Sequence, residues 1–308
     1  MTTERPLRIG TRGSALAMAQ SRQVGERLTE RTGLAYELVR ITTRGDTDRS
    51  PLTRIGGTGV FVTAVRETLL NGGIDVAVHS FKDLPTAGQA GILLAAVPTR
   101  ENPADVLCSA GGGAGATLDQ LPTGARIGTG SPRRATQLLR LRDDLAPVPI
   151  RGNVDTRLEA VSSGELDAVV LAYAGLARLG RLNAVTQTFA ALDMLPAPAQ
   201  GALAIECRPD DDRTARALAA LDDAPSRAAA LAERAVLAGL QAGCAAPVGA
   251  LATVVAGNLM LAARVISPDG RRTVERRSRG PVARAAELGA GAADALLAAG
   301  AAGLMGTG

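Results

Sequence analysis

The sequence is almost without aromatic side chains: it has no tryptophan, two tyrosines and three phenylalanines, which is 2% of its 308 residues. Proteins that hold single-stranded nucleic acid without sequence preference stack the bases on aromatic rings, so this composition argues against that class. Hydrophobic residues nevertheless make up 46% of the chain. We therefore expect a globular protein whose sizeable core consists mainly of Leu, Val, Ile and Ala.

Cysteine is nearly as scarce, with three residues that form no C-x-x-C pair. An odd number without such spacing predicts neither a disulfide framework nor a structural zinc site, and we expect no metal. The opening residues, MTTERP, lack the apolar core of a secretory signal. Together these features predict a protein of the reducing cytoplasm.

The three cysteines have different surroundings. Cys108 and Cys207 lie in apolar runs and are expected to be inert core residues. Cys244 lies in a loop of small residues, 241–247, in which a thiol is accessible to reagents. Because accessibility alone does not make a thiol reactive, the residues by themselves identify Cys244 only as a candidate.

Long charge-free runs are absent except from Ala235 to Ala263. That stretch is long enough to raise the question of a membrane span, but several Gly and Pro residues and the Gly257-Asn258 turn interrupt it. It therefore predicts a helix end, a loop and a hairpin, and we expect no membrane contact.

Charges of the two signs are nearly balanced, with 34 Lys+Arg against 30 Asp+Glu and a net charge of +4. The arginines are dispersed rather than gathered in one block, which favours discrete anion contacts over a stripe that follows a nucleic-acid backbone. Small anionic molecules are therefore the expected partners, and nucleic acid is not.

The chain has one lysine and one histidine, and both lie in the run His79-Ser80-Phe81-Lys82-Asp83. The β-branched stretch Ile74–Val78 predicts a buried strand before this run, and Leu84-Pro85 ends regular structure after it. Ligands of α/β proteins usually bind at strand ends, which makes Lys82 and Asp83 candidate site residues. A surface ion pair and a core histidine would explain the run equally well.

Up to about residue 200, short apolar runs alternate with helical periods, which is typical of an α/β protein. The strand candidates are Leu7–Ile9, Tyr36–Ile41, Ile74–Val78, Ile92–Val97, Val106–Cys108, Arg126–Gly128, Val148–Ile150 and Asp167–Leu171. Apparent crossovers lie near residues 100 and 197. We predict one α/β domain at 1–102 and 199–219, a second at 103–198, and a small α+β domain at 220–308.

One local pattern recurs at three places in the α/β part: a strand, a tight glycine turn, a Ser or Asn that can cap a helix, and an arginine beside it. The three helix starts follow Arg12-Gly13-Ser14, Thr129–Arg134 and Arg151-Gly152-Asn153. Free N–H groups and the dipole make a helix start an anion site, and arginine adds bidentate contacts. Phosphate and carboxylate fit equally, but without a P-loop or dinucleotide fingerprint carboxylates are favoured. Any one start alone is most often an ordinary capped helix.

These segments occur in the order seen in one known family. The motifs that carry the resemblance are His79–Asp83, Gly128–Arg134, Arg151-Gly152-Asn153, Leu171–Gly180, Gln200-Gly201-Ala202 and Gly243-Cys244. Over nearly its whole length the chain resembles the porphobilinogen deaminases, also called hydroxymethylbilane synthases. The resemblance implies two periplasmic-binding-protein-like (type II) α/β domains linked by a double crossover, and a small C-terminal α+β domain that carries the cofactor cysteine.

The resemblance also implies an activity. Family members are transferases that condense four porphobilinogen molecules head to tail, release ammonia each time, and form the linear tetrapyrrole hydroxymethylbilane for haem biosynthesis. The chain grows on a dipyrromethane cofactor that a cysteine, here Cys244, holds as a thioether. A monomer is expected, with a possible transfer of the product to the next enzyme of the pathway. Each pyrrole carries an acetate and a propionate, which would explain several arginine-bearing helix starts in one protein.

By the same resemblance, Asp83 is the catalytic carboxylate and is expected to lie near arginines. The cofactor-binding residues implied are Cys244, Lys82, Ser131, Arg133, Arg134 and Asp83. The substrate-binding residues implied are Arg12, Ser14, Thr129, Arg151, Arg157, Arg178 and Gln200. His79 is expected to be structural.

The chain departs from the family pattern at three points. Arg54 and Thr58 stand where many members have lysine, which puts in doubt any contact made by that glycine-rich segment, and Phe81 replaces a common methionine. Two other classes of protein compete with this interpretation. A non-catalytic two-lobed anion receptor would leave Lys82, Asp83 and an exposed Cys244 without a role, and a basic nucleic-acid-binding protein fits neither the dispersed charge nor the scarce aromatic residues.

Overall fold

The structure is a computed structural model of the whole chain, and it describes residues 5–41, 59–243 and 246–305. The predicted cofactor cysteine Cys244 and the glycine-rich segment with Arg54 and Thr58 lie outside the described residues. The chain forms two compact units, one of Met1–Arg100 with Ala202–Arg227 and one of Glu101–Gly201 with Ala228–Gly308. The second unit contains both the predicted second α/β domain and most of the predicted C-terminal domain, whose separate boundaries stay a prediction.

The strands and helices were numbered along the chain. The strands are β1 (Leu7–Arg12), β2 (Tyr36–Ile41), β3 (Val76–Ser80), β4 (Leu93–Ala96), β5 (Asp105–Ser109), β6 (Arg126–Gly128), β7 (Ala146–Val148), β8 (Ala168–Ala172), β9 (Gln187–Thr188), β10 (Leu203–Cys207), β11 (Val248–Val255), β12 (Asn258–Ile266) and β13 (Thr273–Pro281). The α-helices are α1 (Ala15–Thr32), α2 (Gly59–Leu70), α3 (Pro132–Leu141), α4 (Val154–Ser162), α5 (Tyr173–Arg178), α6 (Asp212–Ala219), α7 (Ala224–Gly239) and α8 (Ala285–Ala298).

The first unit is built on a mixed sheet with the strand order β2-β1-β3-β10-β4. Strand β1 runs parallel to β2 and β3, whereas β10 returns from the second crossover and pairs antiparallel with β3 and β4. Both faces are covered, so β3 is buried almost throughout, as expected for strands between helices. Leu7, Ile9, Val76 and Ile205 pack with Val24 and Leu28 of α1 on one face.

The second unit repeats this arrangement in the sheet β7-β6-β8-β5-β9. Strand β6 runs parallel to β7 and β8, and β5, which begins just after the first crossover, pairs antiparallel with β8 and β9. Each sheet thus receives one antiparallel strand from a crossover. The predicted fold class, two type II α/β arrangements and a smaller α+β part, is confirmed.

The α+β part of the second unit is a three-stranded antiparallel sheet, β11-β12-β13, packed against helices α7 and α8. Ala256 and Gly257 link β11 to β12 with φ values of 47° and 74°, the left-handed backbone that a two-residue hairpin turn requires. The described residues of the charge-free stretch Ala235–Ala263 therefore include the end of α7 and a hairpin, as predicted, and residues 244–245 of the predicted loop lie outside the described ranges. No helix in the described ranges is long and apolar enough to cross a membrane.

Most predicted strands are present, and their bounds show where sequence patterns mislead. The observed β2 and β6 have the predicted bounds, but β7 spans Ala146–Val148 instead of the predicted Val148–Ile150. Strand β10 was not predicted, although Ala204 and Ile205 are fully buried. An apolar run of five residues after a proline-rich crossover fits a strand and a buried loop equally well.

Candidate functional site

In the first unit the predicted site residues lie at the carboxyl end of parallel strands. Arg12 is the last residue of β1, and Ser14 caps α1 by accepting a hydrogen bond from the Ala17 N–H at 3.3 Å. A Ser cap satisfies one of the free N–H groups of an 18-residue helix. The dipole of α1 therefore adds positive potential beside Arg12.

The run that contains the single lysine forms the end of β3 and a one-turn 3₁₀ helix, Phe81–Asp83. The Phe81 N–H donates to the Ala202 carbonyl at 3.0 Å, which ties the turn to the start of β10. Phe81 is buried, whereas the Asp83 side chain is exposed. Within the described part of the first unit, no side chain forms a hydrogen bond or ion pair with the Asp83 carboxylate. The expected proximity of Asp83 to arginines stays a prediction.

His79 lies just before this turn in a buried polar cluster. Its Nε2 is 3.4 Å from Glu206 Oε2, and Arg66 donates to the same carboxylate from Nε at 2.9 Å and Nη2 at 2.6 Å. Burial by itself raises the pKa of Glu206, but His79 and Arg66 lower it to about 2. This cluster supports the expectation that His79 is structural.

In the second unit the corresponding edge carries the start of α3. Thr129 follows β6 and is buried, and its hydroxyl accepts a hydrogen bond from the Ser131 N–H at 3.2 Å. Ser131 occupies the N-cap position of α3, but its side chain makes no capping bond. Its hydroxyl therefore remains available for another partner, unlike that of Ser14.

Arg133 and Arg134 turn into the second unit and share one buried carboxylate. Arg133 donates to Asp105 Oδ2 at 2.6 Å, and Arg134 donates to Asp105 Oδ1 from Nη2 at 2.8 Å. Gln200 donates to the same Oδ1 at 2.8 Å and to the Pro103 carbonyl at 2.8 Å. Three residues predicted to contact ligands are thus brought together around an aspartate that sequence reasoning had not singled out.

The electrostatics of this cluster are dominated by the two arginines. Burial raises the pKa of Asp105, but the charges and hydrogen bonds of Arg133 and Arg134 outweigh it and hold the pKa well below its ordinary value. Burial lowers the pKa of Arg133, an effect that Arg134 increases and Asp105 opposes. Asp105 therefore stays ionised and stabilises two adjacent cations.

The remaining predicted arginines occupy other positions at this edge. Arg157 in α4 donates to the Gly152 carbonyl at 3.1 Å, and burial and the charge of Arg134 lower its pKa. Arg178 at the end of α5 donates to the Gly201 carbonyl at 2.7 Å. Arg151 is exposed in the turn before α4. The charge of Arg134 thus acts on Arg157, and Arg178 forms a hydrogen bond with the second crossover segment.

Sequence reasoning missed three residues near these edges. Asp105 and Glu206 lie within apolar strands, where an acid that breaks the pattern is the only signal that could have found them. Arg40, near the end of β2, lies against Gly13: a Cβ added there would come within 2.5 Å of its Nε. Gly13 therefore gives the Arg40 guanidinium room beside Arg12 and Ser14.

The described residues fit a cofactor that bears carboxylates. The Nε–H of Arg133 is buried and donates to no acceptor in the described ranges, and a buried donor left in that state costs about 1–3 kcal/mol. A carboxylate oxygen would satisfy it. The two described cysteines are unsuitable anchors, because burial raises the pKa of Cys108 to about 12 and that of Cys207 to about 11.

Fold and side chains together define an α/β protein with cationic helix starts and an exposed carboxylate at the carboxyl edges of its parallel strands. The family comparison then gives a name to that class. Residues 7–216 match the model "Porphobilinogen deaminase, dipyromethane cofactor binding domain", and residues 228–298 match "Porphobilinogen deaminase, C-terminal domain". The chain belongs to the porphobilinogen deaminase family.

Similar proteins agree with this assignment. The porphobilinogen deaminase of Thermobifida fusca is 57% identical over 271 residues, which cover 87% of this chain and 84% of that protein. Porphobilinogen deaminase 1 of Streptomyces coelicolor is 52% identical over 317 residues, with 99% and 98% covered. The predicted family, its transferase class and its dipyrromethane cofactor are thereby confirmed.

Among solved structures, the chain is similar to a periplasmic substrate-binding protein of an ABC transporter from Coxiella burnetii. The TM-score is 0.42 at 16% identity, and the match covers 74% of this chain and 94% of that chain.

Proposed function

We propose that this chain joins four porphobilinogen molecules head to tail, with Asp83 as the catalytic carboxylate and Cys244 as the anchor of the dipyrromethane cofactor. One observation carries the proposal. In a chain of this family, the carboxyl edge of the first sheet presents an exposed carboxylate, and that of the second sheet presents helix starts with clustered arginines. Such an arrangement suits substrates that carry several carboxylates and lose an amine.

The reaction needs an acid and an anion at the aminomethyl group of porphobilinogen. In each condensation the C–N bond of that group breaks, ammonia leaves, and the carbon joins the free α carbon of a neighbouring pyrrole, which loses a proton. Asp83 would help to protonate the departing amine and would stabilise the positive charge that develops on the pyrrole nitrogen. Its exposed position leaves the carboxylate open to such a partner.

The other predicted site residues would bind carboxylates. Lys82 supplies a compact ammonium beside Asp83, and the hydroxyl of Ser131 is free of a capping bond. The residues assigned to acetate and propionate groups of the cofactor and substrate are Arg12, Ser14, Thr129, Arg133, Arg134, Arg151, Arg157, Arg178 and Gln200. When bound, the dipyrromethane supplies the terminal pyrrole to which the first substrate is added.

We further propose a cytoplasmic monomer that binds porphobilinogen and transfers an unstable product to the next enzyme of the pathway. The odd number of cysteines and the lack of a C-x-x-C pair support the compartment.

The test is the intact mass of the purified protein before and after addition of porphobilinogen. We expect one dipyrromethane on the resting protein and discrete further pyrrole masses after substrate is added. Replacing Cys244 by Ser should abolish every adduct. In the wild-type protein with its cofactor, one of the three cysteines is a thioether. A thiol reagent should therefore label only the other two after the protein is unfolded.

A matched control is Cys108→Ser, which removes a buried thiol of high pKa and should leave all adducts in place. Wild-type protein that carries no adduct, binds anions and shows three free thiols would contradict the proposal and would favour the anion receptor instead.

A further inference from the structure

The Asp105 carboxylate accepts four side-chain hydrogen bonds from three residues of the candidate site. Its side chain is 0% exposed. Oδ2 accepts from Arg133 Nη1 at 2.6 Å, and Oδ1 accepts from Arg134 Nε at 3.0 Å, Arg134 Nη2 at 2.8 Å and Gln200 Nε2 at 2.8 Å. Both oxygens are therefore engaged, and any effect of Asp105 on a ligand must pass through its partners.

The topology of the sheet does not require an acid at this position. Asp105 begins β5 and lies opposite Ala172, the last residue of β8. In the first sheet the equivalent place, at the start of β10 and opposite the last residue of β3, is taken by Leu203. Leu203 is buried and apolar. A leucine thus occupies the equivalent position in the first sheet, so strand pairing does not explain the acid at position 105. The side chains that contact Asp105 explain it instead.

The charge balance shows what Asp105 does for those neighbours. Two successive buried guanidinium groups repel each other, and each loses hydration. One carboxylate between them leaves one net positive charge among the three groups. Arg133 is 4% exposed, and its Nε–H has no acceptor in the described ranges. The cluster therefore retains both a positive charge and a donor for one ligand carboxylate.

We propose that Asp105 is a positioning residue that fixes Arg133, Arg134 and Gln200 in the orientation that binds the carboxylates of the dipyrromethane. This inference rests on the proposed function. Asp105 is held by the main chain of β5, whose Asp105 carbonyl accepts from the Phe189 N–H at 3.1 Å. Groups on strands position a site more tightly than groups on loops, and a misplacement of about 1 Å can cost about 100-fold in rate.

The test compares how fast unmodified protein gains the dipyrromethane mass from porphobilinogen in the wild type, Asp105→Asn and Asp75→Asn. Asp75 is the matched control, because its side chain is also buried, with 1% exposed, and accepts hydrogen bonds from two arginines. Arg5 lies just before β1 and Arg8 is its second residue, so both are at the end of β1 opposite to Arg12. We expect assembly to slow about 10- to 100-fold in Asp105→Asn and less than about 2-fold in Asp75→Asn, at a temperature where both are folded.

Equal assembly rates in the two variants would overturn the role of Asp105 while leaving the proposed function intact. Wild-type protein that never gains the mass would overturn the proposed function itself. The two failures are therefore distinguishable.

A double variant keeps the inference testable if Asp105→Asn does not fold. Asp105→Asn together with Arg134→Gln removes one charge of each sign, so it leaves no added net charge in the core. Arg133 and Gln200 still bond to Asp105 in Arg134→Gln, so the double variant should assemble cofactor about 5-fold or more slower than Arg134→Gln alone. Equal rates would mean that Arg133 and Gln200 keep their orientation without Asp105, and would overturn the positioning role.

Discussion

At the scale of single residues, Asp83 and Asp105 show two opposite uses of a carboxylate. Asp83 is exposed and forms no side-chain bond in the described ranges, whereas Asp105 is buried with both oxygens engaged. A carboxylate that acts on a reacting group needs open lone pairs, and one that orders cations needs the reverse. The two residues should therefore respond differently to the same substitution.

Asp83→Asn should remove activity without removing stability. We expect turnover to fall by about 10²- to 10⁴-fold, because a positioned acid or base contributes that much. The free energy of unfolding should change by no more than about 0.5 kcal/mol, since the exposed side chain forms no hydrogen bond or ion pair with a described residue. Steady-state kinetics and urea unfolding check the two parts.

Asp210→Asn is the control for this substitution, because Asp210 is another exposed acid of the first unit. It should leave both turnover and unfolding unchanged. Near-normal turnover in Asp83→Asn would remove Asp83 from the mechanism.

At the scale of secondary-structure elements, β3 and β10 are joined by a buried acid whose pKa depends on the fold. His79 and Arg66 lower the pKa of Glu206 to about 2 against burial, from 4.5 in its unperturbed state. A carboxyl group whose pKa is lower in the folded than in the unfolded state stabilises the folded state at pH values above its unfolded-state pKa. This stabilisation is lost as the pH falls through the folded-state pKa. The stabilising contribution of Glu206 should therefore disappear between about pH 4.5 and pH 2.

Glu206→Gln tests this dependence. Relative to the wild type, the variant should lose roughly 2–4 kcal/mol at neutral pH, since one pKa unit corresponds to about 1.4 kcal/mol. The difference should shrink as pH approaches 2, when the wild-type acid is protonated as well. Urea unfolding at several pH values measures it, and Glu287→Gln, whose acid is 62% exposed, should show almost no effect. A constant difference across this range would contradict the assignment.

The crossover segments provide a second prediction at this scale. Gly201 has a φ of 88°, and a Cβ there would lie 2.3 Å from the main-chain oxygen of Glu101, whose N–H donates to the Gly201 carbonyl. Gly201→Ala combines unfavourable backbone geometry with a clash that no side-chain movement relieves. Gly124→Ala, at a φ of 76° and with nothing within 4 Å, has only the first of these costs, about 1–2 kcal/mol.

Gly201→Ala should therefore be destabilised by clearly more than Gly124→Ala in urea unfolding. It should also raise the KM for porphobilinogen, because Arg178 donates to the Gly201 carbonyl. Equal losses in the two variants would show that the crossover adapts without strain.

The strands and helices also show which features of the fold and of the candidate site could be predicted from the sequence alone. Short apolar runs located β2 and β6 to the residue, and the helix starts after Ser14 and Asn153 followed from capping chemistry. The shared partner of Arg133 and Arg134 could not be predicted, because Asp105 is 28 and 29 residues away from them and comes close only through the pairing of β5 with β8. Pairing between strands that are distant in the chain leaves no local pattern in the sequence. Arg133 and Arg134 could therefore be identified from a motif, whereas their buried partner Asp105 could not.

At the scale of the whole molecule, Arg264 is one of the residues that bond the α+β part of the second unit to its α/β part. Arg264 on β12 donates to the carbonyls of Leu192 at 2.8 Å and Asp193 at 3.2 Å, and to Gln137 of α3 at 3.3 Å. It also pairs with Glu275 on β13 at 2.7 Å. The three-stranded sheet is thereby bonded to the helix that carries Arg133 and Arg134. The α+β part and the second α/β sheet should unfold together, even though the sequence suggests separate domains.

Arg264→Met tests that coupling. The Arg264 side chain is 6% exposed. Its loss removes one donor each from Glu275, Gln137 and the carbonyls of Leu192 and Asp193, so we expect a loss of about 1.5–3 kcal/mol. Arg277→Met is the matched control, because Arg277 pairs with the same Glu275 but is 67% exposed, and should cost at most about 1 kcal/mol. Urea unfolding followed by hydrogen exchange should show α3 and β12 of wild-type protein losing protection in one step. Separate steps in the wild type would instead support an independent C-terminal domain, with Arg264 only a local contact.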